Sequence, residues 1–207
     1  MASRRQLPVR VLIAYALPAF VVALPTIPVY IQLPALYGVQ LGLGLAMTGG
    51  VLLVARIFDT VTDPLVGALC DRVSFLGYRR KPWIAVGAVI AGFGLFQILN
   101  PPGQVGPGYL LGWSLVLYAG WTMVAVPYMA WGAELSVDYD ERTRITAWRE
   151  AAGLLGIVGA GALTSATATL GWNERESVGA IAWSAILLGA IFIPLLFFLV
   201  REGVAGG

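Results

Sequence analysis

The stretch LLVARIFDTVTDPLVGALCDR, residues 52–72, places Arg56, Asp59 and Asp63 inside an otherwise apolar run. On an α-helix these positions (i, i+3 and i+7) share one face, and Thr62 falls on the same stripe. At a rise of about 1.5 Å per residue, Asp59 lies roughly 18 Å from the charged end of the run. If the run crosses a bilayer, this places the aspartate near the centre of the hydrocarbon.

The composition is that of an integral membrane protein. Hydrophobic residues make up 58% of the 207 residues and charged residues 12%, whereas a soluble domain carries about 25% charged residues. The apolar residues form segments long enough to cross a hydrocarbon core of about 30 Å. We therefore predict an all-α membrane protein with six transmembrane helices, at about 9–36, 45–70, 82–99, 108–131, 146–170 and 178–200.

Two further features of the composition narrow the possible functions. One cysteine, Cys70, excludes an intrachain disulfide, and the absence of histidine excludes a Cys/His zinc site and a histidine proton relay. The slightly basic net charge of +2 gives no indication of a nucleic-acid partner.

The first apolar segment contains four prolines, which predict a kinked or broken helix: Pro18, Pro25, Pro28 and Pro34. Its apolar run continues to about Tyr37 with no clean A-x-A cleavage site. We therefore interpret it as the first membrane helix rather than a signal peptide.

The basic residues predict the orientation in the membrane. If the N-terminus is cytoplasmic, 11 of the 13 lysines and arginines lie on or near the cytoplasmic side, Arg175 lies outside and Arg56 lies within the membrane. This bias follows the positive-inside rule. We expect both termini to be cytoplasmic and the protein to be a multi-pass protein of the bacterial inner membrane.

The charges in the second span predict a cation site. Each ionised side chain near the bilayer centre costs about 2.5–3.5 kcal/mol unless it faces a partner or a water-filled cavity. Arg56 offsets one carboxylate, so Asp59 and Asp63 keep one negative charge that a proton or a metal cation would neutralise. The Thr62 hydroxyl would assist. The alternative is a structural salt-bridge network that only pins the packing of the helices.

Two charged loops follow the second and fourth spans on the predicted cytoplasmic side. They would anchor the topology, and Asp71 beside several cations would also form a gate that can break. We assign the gate to the residues of both loops: Gly67, Asp71, Arg72, Arg79, Arg80, Glu134, Asp138 and Arg142. Asp138, with Glu141 three residues later, has the spacing of a capping box and predicts the start of the fifth helix.

The motifs "ARIFDTVTDPLVG", "RRKPWI" and "GAELSVDYDERTRITAWRE" resemble the glycoside–pentoside–hexuronide:cation symporters, the melibiose-carrier branch of the major facilitator superfamily. The resemblance implies a secondary transporter that couples entry of Na⁺, Li⁺ or H⁺ to uptake of a sugar-like or other small organic solute. It places the cation at Asp59, Thr62 and Asp63, together with Thr122 in the fourth span. It implies no other cofactor.

The same resemblance shows a departure at the solute site. Melibiose carriers hold sugar with one aspartate in the first span and another in the fourth, and the matching positions here are Ala23 and Ala125. A solute less polar than melibiose is therefore expected. Arg149 matches an arginine that contacts sugar in that family, but its place near the cytoplasmic edge fits an anchoring role equally well.

Members of that family have about twelve spans in two bundles, so we expect this chain to represent the N-terminal six-helix bundle and to lack the C-terminal one. It would be a fragment, a truncated product or one member of a split pair, with the second bundle as a partner in cis or in trans. The alternatives are a non-transporting membrane scaffold and, less favoured because no nucleophile–base pair is evident, a membrane enzyme.

Overall fold

The computed structural model describes residues 6–75 and 77–202, and within these ranges it is built from helices without β-strands. Arg4 and Arg5, which the orientation prediction uses, lie outside the described residues. The six predicted membrane spans are confirmed as helices that are long and apolar enough to cross a membrane. They are α1 (Val9–Gln40), α2 (Leu45–Arg72), α3 (Lys81–Leu99), α4 (Pro107–Glu134), α5 (Tyr139–Thr169) and α6 (Glu174–Leu199).

The helix α5 begins at Tyr139 with Asp138 as its N-cap, where the spacing of Asp138 and Glu141 predicts its start, and before the apolar span predicted from about residue 146. Hydropathy locates where a helix enters hydrocarbon, whereas the helix itself begins where its first amides find an acceptor. Here the Asp138 carboxylate accepts the backbone N–H groups of Asp140 and Glu141. The polar first turns of α5 are therefore helical although they precede its apolar part.

The predicted break in α1 is confirmed. A regular α-helix covers Val9–Ala23, and π-helical turns follow at Pro28–Gln32 and Leu36–Gln40. A proline contributes no amide hydrogen and its ring displaces the carbonyl one turn earlier, so the ladder widens at such positions. The C-terminal part of α1 thus departs from regular α-helical geometry.

The helices pack in a defined order around the bundle. Helix α4 packs against α2 and α3, α1 packs against α5 and α6, and α3 also packs against α6. Hydrogen bonds link Leu7 to Glu141 and Arg144, and Glu202 to the start of α3. These residues and Arg80 lie on one side of the bundle, which we call the basic side.

A reciprocal contact joins α1 to α4. The Tyr15 hydroxyl donates to the carbonyl oxygen of Tyr128 at 3.2 Å, and the Tyr128 hydroxyl donates to the carbonyl oxygen of Tyr15. The two rings are stacked with their centroids 4.8 Å apart. Because both hydroxyls are satisfied inside the bundle, this pair fixes the register between the two helices.

Glycines set the distance between α3 and α4. A Cβ atom on Gly120 would lie 2.8 Å from the Cα of Ala91 and 2.9 Å from the carbonyl oxygen of Gly87, both of which are backbone atoms of α3. Small residues at such positions let helix backbones approach closely in a membrane.

We therefore predict that Gly120→Ala destabilises the bundle by about 1–3 kcal/mol, because one methyl group must push two backbones apart. Gly112→Ala on the same helix is the matched control, since a Cβ atom there meets open space. Thermal unfolding of the purified variants in detergent measures the difference. Equal melting temperatures for the two variants would contradict the close packing of α3 and α4.

Candidate cation site

Thr122 of α4 joins the two aspartates of α2. Its hydroxyl oxygen lies 3.0 Å from Oδ1 of Asp59 and 2.8 Å from Oδ1 of Asp63. Thr122 is 1% exposed, whereas Asp59 is partly buried and Asp63 remains exposed. The aspartates lie one turn apart on α2, so the packing of α4 against α2 brings the three side chains together.

The Thr122 hydroxyl cannot satisfy both carboxylates at the same time. A threonine hydroxyl has a single hydrogen, so it donates to only one of the two carboxylates at a time. The hydroxyl oxygen therefore lies within 3.0 Å of one oxygen from each of Asp59 and Asp63. Hard cations prefer such carboxylate and hydroxyl oxygens, and a proton shared by the carboxylates would also supply the missing donor.

Arg56 satisfies the opposite side of Asp59. Its guanidinium Nη1 lies 3.0 Å from Oδ2 of Asp59. The guanidinium carbon lies 5.0 Å from the ring centroid of Tyr30 and 5.6 Å from that of Tyr118, within the range of cation–π attraction. Arg56 therefore engages the Asp59 oxygen that points away from Thr122, and the local charge of one cation and two carboxylates sums to −1.

These groups line a cavity of about 210 Å³ between α1, α2 and α4. One water occupies about 30 Å³ in the liquid, so the cavity has room for a small cation with several waters or for part of a solute. Its wall includes Tyr30, Arg56, Asp59, Asp63, Thr122 and Ala125. In the described residues no group of three or more His, Cys, Asp or Glu side chains is placed to hold a metal ion.

Of the other predicted site residues, only one lines the cation cavity. The Thr62 hydroxyl donates to the carbonyl oxygen of Asp59 at 3.1 Å, so its part in the cation site stays a prediction. Ala23 packs in the interface of α1 with α5, where a Cβ atom on Gly156 would lie 3.2 Å from its methyl group. Arg149 donates to Glu150 at 2.5 Å. Ala125 alone of the three predicted solute positions lines the cation cavity.

A second polar cluster lies on the basic side of the bundle and centres on Arg80. Arg80 is 4% exposed. Its guanidinium donates to Asp71 at 2.7 Å and to Glu134 at 2.6 Å. Arg79 also donates to Glu134, at 3.3 Å. Burial lowers the pKa of Arg80, but the hydrogen bonds to Glu134, Cys70 and Asp71 outweigh it and raise the pKa. Arg80 thus ties the end of α2 to the end of α4 as a permanent cation.

Sequence reasoning missed two residues of this cluster. The Glu202 carboxylate accepts the backbone N–H groups of Arg79 at 2.8 Å, of Arg80, and of Lys81 at 3.3 Å. The Lys81 ammonium donates to the carbonyl oxygen of Phe197 at 2.9 Å. Glu202 is an acidic residue directly after the last span, on the same side as most of the cations. This position was the sequence signal for a contact with the start of a helix. We call this pair of contacts the α3–α6 clasp.

The remaining predicted gate residues lie around this cluster. Asp138 caps α5 and Arg142 donates to the carbonyl oxygen of Ser136 at 2.6 Å. Gly67 faces Val126, whose side chain lies 3.6 Å from the position of an added Cβ atom, and Arg72 is exposed in the last turn of α2. Whether all eight residues act as a gate stays a prediction.

Comparison with known proteins agrees with this architecture. A family model described as MFS/sugar transport protein matches residues 13–206. The putative glycoside/cation symporter YagG of Escherichia coli strain K12 is 30% identical over 169 residues, which are 78% of this chain and 36% of that protein. The uncharacterized symporter YjmB of Bacillus subtilis strain 168 is 30% identical over 129 residues, covering 60% of this chain and 27% of that protein.

A eukaryotic protein also matches. The sodium-dependent lysophosphatidylcholine symporter 1-B of Danio rerio is 34% identical over 111 residues, covering 51% of this chain and 21% of that protein. The chain matches between 21% and 36% of the length of these relatives. The chain belongs to the MFS/sugar transport protein family, in the branch of the glycoside–pentoside–hexuronide:cation symporters. It is a multi-pass membrane protein of that family.

We predict that Arg80→Gln lowers the stability of the bundle by about 1–3 kcal/mol, because it leaves Asp71 and Glu134 without their shared cation. The effect stays below that of a fully buried pair since both carboxylates are partly exposed. Arg72→Gln, on an exposed side chain nearby, is the matched control. Thermal unfolding at low salt compares the two variants, and an equal loss in both would contradict the central role of Arg80.

Proposed function

We propose that this chain is the cation-binding half of a symporter, with the cation held by Asp59, Asp63 and Thr122. The observation that supports the proposal most is the convergence of the Thr122 hydroxyl on both carboxylates, at 3.0 and 2.8 Å, in a cavity halfway along α2. A bound cation changes the local charge from −1 to zero, which removes the cost of an unbalanced anion in hydrocarbon. The proposed activity is transport and involves no catalysis.

The proposed coupling ion is Na⁺, Li⁺ or H⁺. The oxygen-only donor set suits an alkali cation, and a proton shared by two neighbouring carboxylates is the alternative. The name of YagG includes a cation and that of the Danio rerio relative includes sodium, and both support cation coupling in this chain.

The proposed solute is a small organic molecule, either sugar-like or less polar than a sugar. Ala125 presents a methyl group to the cavity where a carboxylate would accept sugar hydroxyls. The relatives include a putative glycoside/cation symporter and a lysophosphatidylcholine symporter, so the family context supports both solute classes.

We further propose that the basic side of the bundle is cytoplasmic, in a bacterial inner membrane, and that a second six-helix bundle completes the transport path in cis or in trans. Helices α2 and α5 are the least buried of the six spans, and both carry polar groups of the proposed sites. A second bundle against these two helices would enclose the cavity that holds Asp63.

We predict that Asp63→Asn and Thr122→Val each weaken binding of radioactive sodium to the purified chain by at least about tenfold, equivalent to about 1.4 kcal/mol. The asparagine removes a negative charge and the valine removes a ligand oxygen. Thr122→Ser is the matched control because it keeps the hydroxyl, and it should bind as the unchanged chain does. Competition by Li⁺ would test the breadth of the site.

Binding that survives both changes would reject the cation site and favour the structural salt-bridge network or the scaffold. In a complete transporter that contains this bundle, Asp59→Cys or Asp63→Cys should abolish cation-dependent uptake while the protein still inserts in the membrane. Dependence of uptake on pH in place of sodium would identify a proton as the coupling ion.

A further inference from the structure

A larger cavity, of about 610 Å³, lies between α1, α3, α4 and α6. Each residue that lines it is Ala, Gly, Val, Leu, Ile, Pro, Phe or Trp, so its wall is almost entirely apolar. A buried water needs two to four polar partners, and this wall does not offer them. The natural occupant of the cavity is therefore apolar.

The depth of the cavity places it in hydrocarbon. Its wall runs from Ala85 to Phe96 along α3, which is about 16 Å at ~1.5 Å per residue. On α6 it runs from Trp183 to Phe197. The rim residues Val89, Phe93 and Trp183 are exposed on the outside of the bundle, so the cavity opens sideways toward the interior of the membrane.

Glycines form part of the cavity wall where neighbouring helices lie close together. The nearest atom to a Cβ added at Gly92 is a side-chain carbon of Ile186, at 3.8 Å, and the nearest to one added at Gly189 is a side-chain carbon of Val21, at 3.4 Å. An empty cavity forfeits the dispersion contacts of its lining atoms. The surrounding lipid chains supply atoms that restore those contacts.

We propose that this cavity is a binding site for one hydrocarbon chain of a bilayer lipid. Its volume equals roughly twenty waters at about 30 Å³ each, and a methylene group is close to a water molecule in size, so it accommodates much of one chain. Its long axis follows α3 and α6, as do the chains of the bilayer.

Trp121 gives this site a position that ordinary surface lipid does not have. Its side chain lines both the apolar cavity and the cation cavity, and Thr122 follows it directly in the chain. A lipid chain in the cavity therefore contacts the part of α4 that carries Thr122, from the side opposite the two aspartates. The binding of the chain itself does not depend on the proposed cation function.

Photolabelling tests the proposal. The purified chain is reconstituted in vesicles of phosphatidylethanolamine and phosphatidylglycerol that contain a trace of phosphatidylcholine with a diazirine in one acyl chain. After illumination, peptide mapping should find the label concentrated on 85–96 and 183–197, compared with Leu154, Leu155 and Val158 of α5, which are exposed to lipid in the isolated chain. Equal labelling of these three regions would show surface lipid only and would overturn the proposal.

Two variants, Gly92→Phe and Ala190→Phe, each fill the cavity from a different helix, so the test does not depend on a single substitution. Each should reduce labelling of 85–96 and 183–197 by roughly tenfold, because displacing even two methylene groups from an apolar site changes occupancy to that extent. Val86→Phe adds the same ring to an exposed position of α3 outside the cavity and should leave labelling unchanged. Unchanged labelling in both filled variants, or cross-linked dimers in place of lipid adducts, would reject the lipid site.

Discussion

The shortage of hydrogen-bond donors around two carboxylates governs the centre of this bundle. Asp59 receives Arg56 on one oxygen and shares the single hydrogen of Thr122 with Asp63 on the other. In water the missing donors would be supplied at no cost, whereas in hydrocarbon they have to come from the protein, a proton or an ion. The packing of α4 against α2 holds this pair of carboxylates around one hydroxyl group at the wall of the small cavity.

Helix α4 organises the bundle because its two faces meet different surroundings. Tyr118, Thr122 and Ala125 face the cation cavity, Leu117 and Val124 face the apolar cavity, and Trp121 lines both. The close contact of Gly120 with α3 and the tyrosine pair with α1 fix the rotation of α4 about its axis. A small rotation would withdraw the Thr122 hydroxyl from both aspartates, so packing far from the charges determines the geometry at the charges.

The sequence predicts the six spans and the pairing of Asp59 with Asp63 because both depend on local periodicity and on the chemistry of hydrocarbon. It predicts Arg80 only as one of several loop cations, since the choice of Arg80 over Arg79 as the buried residue depends on where α2 and α4 end. Thr62 illustrates the same limit. Its position on the stripe is right, but a threonine in a helix also finds a carbonyl acceptor one turn earlier, and its hydroxyl donates to Asp59 in that way. Glu202 and the apolar cavity depend on contacts between distant segments, which periodicity does not report.

The α3–α6 clasp has a consequence for the direction in which the polypeptide leaves the bundle. One carboxylate, on Glu202, accepts three consecutive amides at the start of α3, and Lys81 returns a hydrogen bond to Phe197. Swinging the segment after α6 away from this place would strip all three amides of their acceptor at once. The position of Glu202 is therefore fixed by the same loop that carries Arg80, whose side chain pairs with Asp71 and Glu134.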